Sequence, residues 1–238
     1  MNGQASGGGV VWEALTLIIP LVFAIVFHEV AHGLMARALG DTTAAERRRL
    51  TLNPLRHVDP IGTVVIPGML ALAHLPVFGW AKPVPVIPQR MRNPRVGMML
   101  TAAAGPAMNL LMGLVAAVLI GLLARHYTDQ APQGAMLFVF RNLVNFIGIN
   151  IFLALFNLLP IPPFDGSHIV EGLLPRSLAY AYARLRRMGF VLVLVVLVLL
   201  PRLIPGFDPV AQLVGPPYEW TLNAFQTIVT SIAGQSVA

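Results

Sequence analysis

The chain reads as an all-α, polytopic membrane protein with four or more transmembrane helices and with re-entrant or extended elements near its polar centre. Three observations predict this. Of 238 residues, 56% are hydrophobic and only 11% charged, where a soluble domain carries roughly a quarter charged, and the mean hydropathy is +0.74. Apolar runs long enough to cross a bilayer recur along the chain. The stretches between them are rich in Pro and Gly, which favours irregular backbone at the interface.

Taken in order, residues 10–39 form the first helix, with Trp12 near one interface, Pro20 as a kink and Gly40-Asp41 ending it. Residues 41–95 make a cytoplasmic or re-entrant region. It begins with Arg47, Arg48, Arg49 and Arg56, and its apolar stretch 61–79 is interrupted by Pro67, Gly68, His74 and Pro76. It ends in a segment whose prolines at 83, 85 and 88 forbid a regular helix and favour an extended strand or polyproline segment. Residues 96–124 form a long apolar helix, 125–135 a polar turn, and 136–159 a further helix running into Asn157-Leu-Leu-Pro-Ile-Pro-Pro-Phe-Asp165-Gly166. An apolar run at 188–204 supplies another helix. In 205–238, Phe207, Trp220 and Phe225 suit a partly amphipathic interfacial piece. The whole, 1–238, reads as one membrane-embedded domain.

Basic residues accumulate on the cytoplasmic side of short loops. If 61–79 dips in and returns without crossing, the loops at 37–60, 80–95 and 166–187 share one face and hold five, four and four of the sixteen Lys and Arg residues. A full crossing would weaken that bias, so a re-entrant segment with the N-terminus outside is favoured. The start of the chain has no Lys or Arg before its first apolar run, so that run is expected to stay as a membrane helix and not to be cleaved as a signal peptide. The net charge of +6 borders apolar segments instead of forming a basic module interleaved with aromatics, which argues against a nucleic-acid partner. Cysteine is absent, leaving His, Asp and Glu as metal ligands.

The pentad His28-Glu29-Val30-Ala31-His32 lies inside the first apolar run, where ionisable groups are costly and therefore functional candidates. On a helix the two His project from one face and can hold one Zn²⁺, while Glu29 reaches the water bound there. With Arg37 at the cytoplasmic boundary, the helix rise puts His32 roughly 7 Å and His28 roughly 13 Å inside. A catalytic zinc takes three protein ligands and leaves one position open. Asp165, His168, His57, Asp59 and Glu171 are candidates for the third. Asp165 is preferred, because Pro160, Pro162 and Pro163 unwind the chain before it and Gly166 permits a tight turn.

Two further patterns bear on the same centre. Gly105, Asn109 and Gly113 recur every four residues and present a small-residue face for close helix packing. Pro83 and Pro85 strip donors from one edge of an extended 82–87 segment while Val84 and Val86 keep theirs on the other, so an unwound substrate could pair along one edge only.

On HEVAH at 28–32, Gly105-Pro-Ala-Met-Asn109 and Asn157-Leu-Leu-Pro-Ile-Pro-Pro-Phe-Asp165-Gly166, in that order, the sequence resembles the site-2 protease family of intramembrane zinc metalloproteases, peptidase family M50. Asn-Pro-Leu-Arg-His57-Val-Asp59-Pro and Phe-Gly-Trp-Ala-Lys-Pro-Val-Pro also look like its compact branch, without an inserted PDZ-sized domain or a CBS pair. The resemblance implies His28, His32 and Asp165 as Zn²⁺ ligands and Glu29 as catalytic acid/base. It also implies Asn109 and Asn157 as polar groups at the active site, where either amide can help stabilise an oxyanion. The implied substrate is a transmembrane protein or peptide, cleaved within the plasma membrane of a prokaryote near its cytoplasmic face. The rival readings are a metal transporter, which would need polar residues strung across the bilayer, and an inactive scaffold, which the intact HEVAH and Asp165 disfavour.

Overall fold

In hydrocarbon a backbone must satisfy its own hydrogen bonds, so apolar sequence of crossing length becomes helix. The computed structural model describes residues 7–72, 80–127 and 131–234, and no strand forms among them. The α-helices are α1 (Gly7–Ala38), α2 (Thr43–Glu46), α3 (Ile66–Leu72), α4 (Pro94–Ala124), α5 (Gly134–Asn157), α6 (Asp165–Leu173), α7 (Arg176–Ala183), α8 (Gly189–Val193), α9 (Leu200–Leu203) and α10 (Pro209–Ala233). Among the described residues, three stretches are long and apolar enough to cross a bilayer: Val11–Ala38 within α1, α4 and α5. The chain is therefore an all-helical, multi-pass membrane protein.

Helix α4 is the centre of the bundle, and its sequence explains why. Asn93 caps it by accepting the Val96 N–H at 3.2 Å, and Pro94 fits the first turn, where no N–H is needed. Its buried positions are mostly small: Gly97, Thr101, Ala102, Gly105, Gly113, Ala116, Ala117 and Gly121. With no hydrophobic drive between helices in lipid, such faces hold by close van der Waals approach. One stretch of this face receives α1, and the end beyond Gly113 receives α10, whose Phe225 lies against Gly113. A core of Ala116, Ala117, Ile120, Ile147 and Ile151 joins α4 to α5 and is covered by Tyr218, Leu222, Phe225 and Val229 of α10.

The region 205–238 therefore contributes a 25-residue helix packed along α4 and α5, with Trp220 left exposed. Asp208 caps it by accepting the Ala211 N–H at 2.9 Å, and Pro209 opens it. Pro216 and Pro217 lie inside it.

Between α1 and α4 the backbone is irregular. In the stretch 61–79, residues Pro60–Val65 form a π-helical turn leading into α3, and 73–79, which include His74 and Pro76, lie outside the described residues. Asp59 caps this turn through the Ile61 and Gly62 N–H groups. Residues 80–87 run without regular structure, tied down by Trp80 N–H to Gly62 O at 3.1 Å and Lys82 N–H to His57 O at 2.8 Å. A guanidinium N–H of Arg49 also donates to Lys82 O at 2.8 Å. Asp41, fully buried, accepts the Ile87 N–H at 2.5 Å and the Thr43 N–H at 3.0 Å, and also the Thr43 hydroxyl. Burial works against its ionisation, yet these hydrogen bonds, with Arg90 nearby, hold the Asp41 carboxyl below the usual carboxylate range.

Candidate metal centre

His28 and His32 stand one turn apart on α1, with their Nε2 atoms 3.0 Å from each other. Oδ2 of Asp165, the first residue of α6, lies 3.1 Å from Nε2 of His28 and 3.3 Å from Nε2 of His32. Donors bound tetrahedrally at about 2.0–2.1 Å sit roughly 3.3 Å apart, so this triangle has the dimensions that Zn²⁺ requires. Among the described residues these are the three His or acidic side chains grouped closely enough to hold a metal ion.

The protonation pattern follows from a chain of hydrogen bonds anchored on backbone carbonyls, which only accept. Asn150 donates Nδ2 to Phe146 O at 2.8 Å, so its Oδ1 faces Asn109 and accepts from Asn109 Nδ2 at 2.7 Å. The Asn109 amide, which also donates to Ala24 O at 3.3 Å, is thereby oriented with Oδ1 toward His28 Nδ1 at 2.5 Å. His28 must therefore carry its proton on Nδ1. His32 does the same, donating Nδ1–H to Thr101 O at 2.7 Å. With both rings neutral, as metal binding requires, their Nε2 lone pairs point at a carboxylate oxygen that is itself buried. Three lone pairs facing one another repel, and a cation between them removes the repulsion.

Close packing builds this geometry. A Cβ on Gly105 would lie 2.5 Å from Cε1 and Nε2 of His32 and 2.6 Å from Cε1 of His28, so only glycine lets α4 back onto both rings. Gly166 does the same for Asp165: a Cβ there would meet Leu158 O at 2.2 Å. Its use is thus close approach to the turn before α6.

Glu29 is half-buried, and its Oε2 accepts the Val84 N–H at 2.8 Å. One of the two donors on the free edge of the extended segment is therefore engaged by the pentad itself. The remaining sequence candidates have other partners. His57 is buried with Nε2 2.9 Å from Thr51 O, Asp59 caps the π-helical turn, and Glu171 pairs with Arg186. His168, one turn past Asp165, is half-buried, and burial together with Arg186 pushes its imidazole below the usual value. Asn157 closes α5 and donates Nδ2 to Leu153 O at 2.9 Å.

Sequence reasoning missed Asn150 and Thr101, and it offered the Val84 N–H to a substrate where the structure gives it to Glu29. Asn150 is a mid-helix polar residue in an apolar run, which is a usable signal for a buried network. Thr101 acts through its backbone carbonyl and leaves none.

The sequence model of Peptidase family M50 matches residues 129–200. A Bacillus subtilis (strain 168) protein named "Putative zinc metalloprotease YwhC" is 36% identical over 205 residues, covering 83% of this chain and 90% of the relative. A Mycolicibacterium smegmatis protein named "Putative zinc metalloprotease Rip2" is 31% identical over 209 residues, covering 82% and 76%. No solved structure matches. With relatives of that identity spanning most of its length, and a two-histidine, one-carboxylate centre set among membrane helices, the chain belongs to peptidase family M50 and is an intramembrane zinc metalloprotease of the site-2 protease type.

Proposed function

We propose that His28, His32 and Asp165 hold the zinc, that Glu29 is the catalytic acid/base, and that the enzyme cuts transmembrane proteins or peptides near the cytoplasmic face of a prokaryotic plasma membrane. The observation that carries the assignment is the 3.0 to 3.3 Å triangle of Nε2, Nε2 and Oδ2 atoms, with both Nδ1 atoms engaged elsewhere. Zinc bound there supplies Lewis acidity, lowering the pKa of water toward about 7 and polarising the scissile carbonyl.

The chain's own groups do the rest. Glu29 takes the proton of the attacking water on its carboxylate and returns it to the leaving amide nitrogen. The Val84 N–H fixes Oε2 and leaves Oε1 for that transfer. Asn109 acts through His28 as a positioning residue, since both ends of its amide are engaged and it is wholly buried. Asn157, at the end of α5, is the amide proposed to meet the substrate. Val86 keeps an N–H that an unwound substrate strand can use. A fourth crossing by 189–203 or α10, and a re-entrant stretch 61–79, of which 61–72 are described, complete the proposed topology, and the clustering of Lys and Arg in three loops supports the cytoplasmic placement.

A transmembrane peptide assay on the purified chain tests this reading. Glu29→Gln should keep zinc and lose at least about 10²-fold in cleavage rate. Cleavage by that variant at the wild-type rate would remove Glu29 from the chemistry.

A further inference from the structure

We propose that Arg37, Arg48 and Arg56 form a binding site for the phosphate-bearing headgroup of an anionic phospholipid, beside the end of α1. The three line one cleft of about 490 Å³ together with Thr51 and Asn53. None of the three arginines has an ion pair or a side-chain hydrogen bond among the described residues. The acids closest in sequence are engaged elsewhere: Asp41 is buried on Thr43 and Ile87, Glu46 pairs with Arg90 at 2.9 Å, and Asp59 accepts from the Ile61 and Gly62 N–H groups. Three cations thus share a cavity with no counter-charge from the chain, and fork-shaped guanidinium groups match phosphate oxygens.

The backbone at Arg48 is a second, independent sign. Helix α2 ends with Arg48 N–H on Ala45 O at 2.9 Å and Arg49 N–H on Ala44 O at 2.8 Å, the paired closure in which the residue at position 48 turns left-handed. Glycine is the usual occupant there, and Arg48 sits at φ 52°, which a residue with a Cβ adopts at a cost. An arginine in a position where glycine would relieve strain points to use of its side chain, and that side chain lines the cleft.

The surroundings select a lipid over free phosphate. Arg37 lies in the last turn of α1, at the end of a membrane-crossing stretch, and Leu52 and Leu55 beside the cleft residues are 51% and 78% exposed. A charged cradle with an apolar rim at that level fits a molecule with both a phosphate and acyl chains.

Native mass spectrometry of the full chain in detergent, titrated with dioctanoyl phosphatidylglycerol, tests the site. Losing one arginine near a membrane surface should weaken binding about fivefold. The triple variant Arg37→Gln, Arg48→Gln, Arg56→Gln should therefore fall by at least tenfold. A control with the same charge loss, Arg176→Gln, Arg184→Gln, Arg187→Gln, should stay within about twofold. Arg48→Gly alone should bind several-fold more weakly while melting no lower than wild type, which separates binding from folding. Equal loss in the control, or wild-type affinity in Arg48→Gly, would overturn the proposal. So would displacement of the lipid by an equal concentration of inorganic phosphate, which would make this a site for the free ion.

Discussion

Nδ1 of His28 donates to Oδ1 of Asn109 at 2.5 Å, and the reverse arrangement is closed off because the other end of that amide is held by Asn150 and Ala24. The direction of one hydrogen bond on α1 is thus set two helices away, by the Phe146 carbonyl of α5. Partners of this kind, behind a metal-binding His, typically control metal affinity by 10 to 100-fold.

Asn109→Ala should therefore lose roughly 10 to 100-fold in zinc affinity, measured by competition with a chromophoric chelator. Asn150→Ala should produce a smaller loss of the same sign, since it frees Asn109 to rotate. Unchanged affinity in both variants would show that the relay does not orient the ring.

Gly105→Ala places a methyl group 2.5 to 2.6 Å from both imidazoles. Overpacking of this kind costs about 1–3 kcal/mol, and here the displaced atoms are the zinc-binding rings. Lower thermal stability in detergent and weaker zinc retention should appear together. Wild-type values for both would contradict the close approach of α4 to α1.

Val84→Pro removes the N–H that Glu29 accepts while leaving the metal-binding residues untouched. Zinc content should be unchanged, and kcat should fall between about tenfold and a hundredfold, as expected for a displaced catalytic group. A variant with normal kcat would free Glu29 from dependence on the extended segment.

Asp41 gives a pH signature. Its carboxyl is held below its unfolded value of about 3.9, so the stability it contributes is complete above that pH and is lost as pH falls through the lower folded value. Wild type should therefore lose stability more steeply than Asp41→Asn on acidification below about pH 4, read as melting temperature. Parallel curves would mean that the 41–87 contact carries no pH-dependent stability.

Much of the centre was legible in the sequence because metal chemistry demands particular side chains at particular spacings. The i, i+4 histidines, the proline-unwound approach to Asp165 and the glycine beside it each express a local constraint. Asp41 read only as the end of a helix, because its role depends on Ile87 arriving from 46 positions away. The helix at 209–233 was hidden for another reason. Pro216, Pro217 and Glu219 weaken its apolar signal, and what stabilises it is the small-residue face of α4, which no window over 205–238 contains.

Zinc content of the full chain, purified without chelator as wild type and as Asp165→Ala, tests the assignment most directly. Wild type should hold about one zinc per chain and Asp165→Ala less than about a tenth of that, with loss of peptide cleavage. An Asp165→Ala chain that keeps its zinc would contradict the account, because the carboxylate 3.1 Å and 3.3 Å from the two rings would then not be a ligand.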